Sequence, residues 1–273
     1  MEELTALIER YQHDDRISQI ITQIQSDTPT RLQLKGLVGA QECFVISGAY
    51  RADPRHHLII AKDKEEAAYI QNSLANLFDK KTIHFLPDSF KHPTAFEQVN
   101  NNNILQRTEV TNRLTSGSST GEIIVTYPEA VFEKVVAPEV LEANRISLVK
   151  GEDLDVDTLI DVLIKYGFER VDFVYEPGQF SIRGGIVDIF SYGNEWPYRV
   201  ELFDEEIESI RTFHPATQLS QKMIASVAIV PNVETHISSD LKVSIFQILP
   251  EKMVIWVKDL QMIVDQLQVC FER

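Results

Sequence analysis

The sequence predicts an α/β fold in which a parallel-sheet domain is interrupted by an inserted antiparallel α+β domain. Three observations carry this expectation. Short apolar runs alternate with helix-length amphipathic runs between His57 and Pro128, the grammar of a parallel sheet. From Arg170 to Phe213 the apolar runs are instead short, close together and joined by turn residues. After Ser238 helix and strand patterns alternate again.

Each element has a local justification. Leu4–Gln25 carries apolar residues at helical spacing, interrupted near His13-Asp14-Asp15 and ended by Thr28-Pro29-Thr30. A Gly36–Gly39 turn precedes a helix over Gln41–Tyr50. A strand follows at His57–Ala61, a helix at Lys64–Phe78, a strand at Thr82–Leu86 and a helix at Ile104–Leu114. Asn101-Asn102-Asn103 reads as a solvated loop or a helix start, and Ser116–Gly121 as a loop. Ile123–Thr126 is a buried strand, and Pro128 opens a short helix at a position proline favours. Phe44, Phe78 and Phe85 are expected in the core.

The polar connector Lys150–Asp155 marks a boundary, giving domains at 1–150, 151–234 and a return segment at 235–273 that completes the first sheet. Helix Val156–Tyr166 should cover one face of the inserted sheet. Its strands are expected at Arg170–Tyr175, Phe180–Arg183, Ile186–Phe190, Tyr198–Phe203 and Ile207–Phe213. Glu176-Pro177-Gly178-Gln179 is a tight turn, with proline setting φ and glycine free to take positive φ. Gly184-Gly185 breaks the strand run and reads as a bulge. Asp204-Glu205-Glu206 is an acidic turn. The return segment reads as helix Ser238–Phe246, a turn at Leu249–Glu251, strand Met253–Val257 and helix Leu260–Phe271.

Composition bounds the function. The 273 residues carry a formal charge of −15, with no dense Lys/Arg cluster, which argues against a chain that lives on phosphate backbones. No window approaches a membrane span and Met1-Glu2-Glu3-Leu4 does not open a signal peptide, so a cytoplasmic protein with no membrane partner is expected. Cys43 and Cys270 are too few for a disulfide framework and have no metal-ligand spacing. The seven histidines form no metal or catalytic pattern; one of His56 and His57 should face solvent, and His214 reads as turn chemistry. No metal site, catalytic residue or cofactor is expected. The helix-like segment at Cys270–Arg273 has no breaker after it, which reads as a fragment of a longer protein.

The ordered phrases Phe180–Phe190, Tyr198–Arg211 and Phe213–Thr217 resemble the second domain of two bacterial families, the excision-repair protein UvrB and transcription-repair coupling factor. In both, this module docks the damage-recognition protein UvrA. The resemblance is strongest over Leu163–Thr217 and traceable over the rest, and it implies a RecA-like, P-loop-type first domain. It also implies a docking surface of Arg and aromatic side chains, whose matching positions are Arg183, Arg199 and Phe203. Period-2 alternation puts Arg199, Glu201 and Phe203 on one face of their strand and Tyr198, Val200 and Leu202 on the core face. An aromatic on the polar face suits a binding surface; the plainer alternative is an Arg199 ion pair and an edge-packed Phe203.

The same resemblance implies a lost nucleotide site. Lys35–Cys43 occupies the place of a phosphate-binding loop, where the pattern requires glycines for backbone approach, Lys for the β/γ-phosphates and a hydroxyl for Mg²⁺. Set in register, Gly36 matches the first glycine and Gly39 lies within the loop, but Gln41 replaces the last glycine, Glu42 the lysine and Cys43 the hydroxyl. After the apolar run Val254–Val257, Lys258-Asp259 stands where an acidic Mg²⁺-binding pair belongs. Phe85–Phe90 leads through Lys91–Thr94 almost directly to the next helix, without the Tyr-rich DNA-clamping hairpin of UvrB. These departures favour the N-terminal region of a transcription-repair coupling factor, non-catalytic here. RNA polymerase and DNA would then be met by other parts of the full-length protein, including its ATP-driven motor. The alternative is an active UvrB-type ATP-dependent helicase subunit with a divergent loop.

Overall fold

The computed structural model describes residues 2–26, 28–78, 82–89, 101–115, 121–192, 194, 196–230 and 239–272. In chain order the elements are α1 (Glu2–Gln12), α2 (Asp15–Gln25), α3 (Gln41–Ala52), β1 (His57–Ile60), α4 (Lys64–Ala75), β2 (Ile83–Phe85), α5 (Asn101–Thr115), β3 (Ile123–Thr126), α6 (Pro128–Phe132), β4 (Val135–Val136), α7 (Pro138–Ala143) and β5 (Ile146–Val149). Then come α8 (Val156–Lys165), β6 (Glu169–Arg170), β7 (Gln179–Arg183), β8 (Ile186–Ile189), β9 (Tyr198–Phe203), β10 (Glu206–Phe213), β11 (Ser220–Ile224), β12 (Ser226–Ile229), β13 (Lys242–Val243), β14 (Val254–Val257) and α9 (Leu260–Glu272). The Asn101–Asn103 run is the first turn of α5.

Two compact units are formed. The first comprises residues 1–88, 116–133 and 249–273, and the second residues 89–115 and 134–248. The first unit holds a parallel sheet in the order β14-β1-β3-β2. Strands β1 and β3 are buried at every position, as expected of parallel strands covered on both faces. Ile59, Ile123 and Val125 pack with Cys43, Ile46 and Tyr50 of α3 and Ile70 and Leu74 of α4. Phe78 and Phe85 only flank that core, and Phe44 is half-buried and stacks on Tyr11. Helix α4 starts where the Asp63 carboxylate accepts the Glu66 N–H at 2.8 Å. Asp14 caps α2 in the same way, which places the break between α1 and α2 at His13-Asp14.

The second unit holds a six-stranded sheet, β11-β10-β9-β8-β7-β6. Ile182, Val187, Val200 and Ile210 stand in register across it, and Leu159 and Leu163 of α8 join their cluster. Helix α8 begins at Asp155, whose side chain caps it; the Thr158 hydroxyl bond is the main reason that this carboxyl lies below its usual range.

The structure corrects several expectations. The strand expected at Arg170–Tyr175 is only β6, and it pairs in parallel with β7, so the sheet is not wholly antiparallel. The Val171 N–H still donates to the Phe180 carbonyl at 2.9 Å, but further along the Gln179 amide oxygen accepts the N–H groups of Tyr175 and Glu176 at 2.9 and 3.0 Å. Gly184-Gly185 is a two-residue hairpin turn rather than a bulge: Arg183 pairs directly with Ile186, and Gly184 takes φ +60°. Register irregularities lie instead in β10, between Ile207 and Ser209 against β9 and between Arg211 and Phe213 against β11. No helix spans 239–246. Lys242-Val243 pairs with β4, and Ser244 and Gln247 form a capping box that starts a separate 3₁₀ turn. Elements β4, α7, β5, β11 and β12 were not expected individually. The readings of Lys91–Thr94 and Ser116–Thr120 fall outside the described residues.

Candidate functional site

The face of the six-stranded sheet turned away from α8 carries charge in two cross-strand rows. In one, Ser181, Asp188, Arg199, Arg211 and Met223 follow each other from β7 to β11; in the other, Arg183, Ile186, Glu201 and Ser209 do. The alternation read from Tyr198–Phe203 matches this arrangement: Tyr198, Val200 and Leu202 belong to the α8-covered core. Arg199 and Arg211 face each other directly, a like-charge pair that would be unfavourable alone. Each is neutralised sideways. Arg211 pairs with Glu201, and Arg199 pairs with Asp188.

Asp188 is the centre of the face, with no exposed surface. Its Oδ1 accepts Arg199 Nε at 2.7 Å, and its Oδ2 accepts Arg199 Nη2 at 2.8 Å and Arg183 Nη2 at 2.5 Å. This pairing holds the Arg199 guanidinium above its ordinary pKa, although burial opposes it. Arg199 also donates to the Gln218 carbonyl at 3.2 Å and stacks over the Phe213 ring at 4.5 Å. Phe213 belongs to a small cluster with Val171, Val174 and Phe190. Arg183 donates from Nη1 to the Asp172 carbonyl at 3.0 Å and lies 4.8 Å over the Phe173 ring. Its side chain is 34% exposed, against 14% for Arg199. Phe203, at the tip where β9 turns into β10, is 73% exposed, and Phe173, Tyr175 and Met223 are exposed as well. Phe203 sits beside the turn residue Asp204, at φ +54°. A sheet face with fixed guanidinium groups among exposed rings has the chemistry of a protein-docking surface. Phe173 and Met223 were not singled out from the sequence; cross-strand register reveals Met223, and only the departure of the chain from the sheet after Val171 exposes Phe173.

The Gly36–Cys43 segment and Lys258-Asp259 lie in the first unit. Gly36 and Gly39 have φ of +80° and +59°. Within the loop, the Gln41 amide oxygen accepts the Val38 N–H at 2.9 Å. Glu42 stands in the first turn of α3, and Lys258 Nζ reaches both its carboxylate, at 3.0 Å, and that of Glu66, at 2.7 Å. Burial works against the Lys258 ammonium, but Glu66 and Glu42 outweigh it and raise its pKa. Asp259 accepts the Met262 N–H at the start of α9, at 3.3 Å. Burial, followed by the nearby Glu42 charge, pushes the Cys43 thiol up to about 11. His57 is buried, whereas His56 is partly exposed, and His214 Nδ1 accepts the N–H groups of Ala216 and Thr217 in a turn. Among the described residues no group of three or more His, Cys, Asp or Glu could hold a metal, and no helix is long and apolar enough to cross a membrane.

Residues 146–234 match the family model of the UvrB interaction domain. Relatives include the transcription-repair-coupling factor of Bacillus subtilis, 31% identical over 77% of this chain, and that of Staphylococcus aureus, 29% identical over 88% of it. The chain spans 18% and 20% of the length of those two proteins. Over most of its length it is therefore similar to transcription-repair-coupling factors, and the segment that matches the interaction domain contains the whole charged face.

Proposed function

We propose that this relative of the transcription-repair-coupling factors is a non-catalytic module that recruits UvrA to stalled transcription sites, through the charged face of its six-stranded sheet. One observation carries the reading: Arg183, Arg199 and Phe203 share that face, inside the segment that matches the UvrB interaction domain. The docking domain is taken to span residues 151–234, inserted between 1–150 and 235–273 of a degenerate RecA-like domain. RNA polymerase, DNA and the ATP-driven motor are assigned to other parts of the full-length protein, in the cytoplasm.

The alternative, an active UvrB-type ATPase with a divergent loop, has less support. An anionic Glu42 would face the phosphates in place of a lysine, Lys258 is committed to two carboxylates, and Asp259 is committed to a helix start.

The test is titration of UvrA with the wild-type chain and with Arg183→Ala, Arg199→Ala and Phe203→Ala, each checked for folding by circular dichroism. Arg199→Ala leaves the buried Asp188 carboxylate with one of its two arginines and should weaken binding roughly ten- to hundred-fold. Phe203→Ala should weaken binding with little salt dependence, since no charge is removed. Wild-type affinity in all three folded variants would refute this assignment of the surface.

A further inference from the structure

We infer that Asp188 is the positioning residue of this face, and that the group it presents is Arg183, aimed at a carboxylate on the partner protein. The inference rests on the docking reading and deepens it by dividing labour among the three side chains. Arg199 spends its fork inward. Both Nε and Nη2 lie on Asp188, Nη1 lies on the Gln218 carbonyl, and the plane lies on Phe213. Gln218 is itself fixed, at φ +60°, with its amide nitrogen donating to the carbonyls of Val174 and Pro215 at 3.1 and 2.6 Å. Arg199 is thus a brace that neutralises Asp188 and holds it still.

Arg183 is held differently. It donates one bond to Asp188 and one to the Asp172 carbonyl, which use two of its five N–H groups. Among the described residues the other three have no acceptor, and the side chain is one-third exposed above Phe173. Two guanidinium groups share one carboxylate, so a positive charge is left over, and it resides on the more exposed arginine. A planar fork with free donors, fixed in direction, recognises a carboxylate in two-point geometry. Exposed Phe173 beneath it suits a protein surface, and the charge of −15 disfavours nucleic acid as the source of the anion. Fixing the fork before binding removes an ordering cost that a free arginine would carry.

The experiment is a double-mutant cycle on the full chain, with UvrA affinity measured by calorimetry or anisotropy. Asp188→Asn keeps the shape but weakens the hold on both forks, and should reduce affinity roughly ten- to hundred-fold. In an Arg183→Ala background the same change should have no further effect, because the group it positions is gone. A merely structural role would lower affinity by the same factor in both backgrounds. Arg199→Gln is the second variant, for the case in which Asp188→Asn does not fold, and it should show the same non-multiplying pattern. Asp188→Asn binding as wild type, or either change multiplying with Arg183→Ala, would overturn the inference while leaving the docking reading intact. A wild-type chain that does not bind UvrA would overturn both.

Discussion

Lowering the pH should destabilise the first unit through one residue, His57. Its ring is fully buried on β1, edge-on to Tyr50, and its Nδ1 accepts the Trp256 Nε1–H at 3.2 Å. That bond fixes the neutral tautomer with its proton on Nε2, an atom that has no partner among the described residues. Burial is the largest cause of a pKa lowered from 6.5 to about 4. Between those values the unfolded chain binds a proton that the folded chain refuses, so stability rises with pH across the window. The contribution is complete above pH 6.5 and is lost as the pH falls to about 4. The two values lie about 2.5 apart, at about 1.4 kcal/mol for each unit, so the loss is about 3 kcal/mol. Urea unfolding from pH 7.5 to 4 would measure it, followed by Trp256 fluorescence in a Trp196→Phe background. Other groups titrate in the same range, so the comparison is with His57→Gln, which can still accept from Trp256 but cannot take a proton. The wild type should lose about 3 kcal/mol more than the variant over the window. Parallel pH dependences would refute the reasoning.

Calorimetry with Mg·ATP at millimolar concentration should give no saturable heat, since the loop and its surroundings carry the wrong charges; micromolar binding would sink the non-catalytic reading. Iodoacetamide at pH 8 should label the half-buried Cys270 in the folded chain but reach Cys43 only on unfolding, because that thiol is buried and pushed up to about 11. Native-state labelling of Cys43 at the rate of a free thiol would contradict its placement. Gly121→Ala should destabilise the first unit by about 3 kcal/mol or more, because the added carbon would sit 2.1 Å from the Arg55 backbone, which cannot swing aside. Gly151→Ala is the control: nothing lies within 4 Å, so only its φ of +87° is strained, at a cost of about 1 kcal/mol. Equal melting shifts for the two would argue against the close approach.

The parts of this fold legible in the sequence are those set by local pattern. Buried strands such as Ile123–Thr126 announce themselves by unbroken apolarity, and Pro177-Gly178 by turn chemistry, with Gly178 indeed at φ +86°. The alternation in Tyr198–Phe203 separated core from polar face correctly because one side of the strand is covered by α8. What was not legible depended on distant partners. Val135-Val136 and Lys242-Val243 are strands only because they meet each other, more than a hundred residues apart. Val171–Tyr175 has a strand's composition, yet only Val171 bonds to the neighbouring strand, and at the far end one glutamine side chain takes the N–H groups of Tyr175 and Glu176. In the candidate site, Arg183, Arg199 and Phe203 came from resemblance. Asp188 was passed over because an acid inside Ile186–Phe190 carries no local sign that two arginines converge on it.

The Glu42–Lys258–Glu66 cluster has a consequence for the chain's history. On the proposed reading, the loop has exchanged a cation for an anion, and the strand end has exchanged an anion for a cation. Because these two positions now touch, the exchanges are no longer independent. Glu42→Lys alone would set two ammonium groups against each other. Lys258→Asp alone would gather three carboxylates where Glu42 and Glu66 are already well shielded from water. Each single step back towards a phosphate site therefore passes through a charge clash, so the loss is protected by epistasis. On that reading, a lineage that crossed this point would need at least these two reversals together before a phosphate could be met without a charge clash.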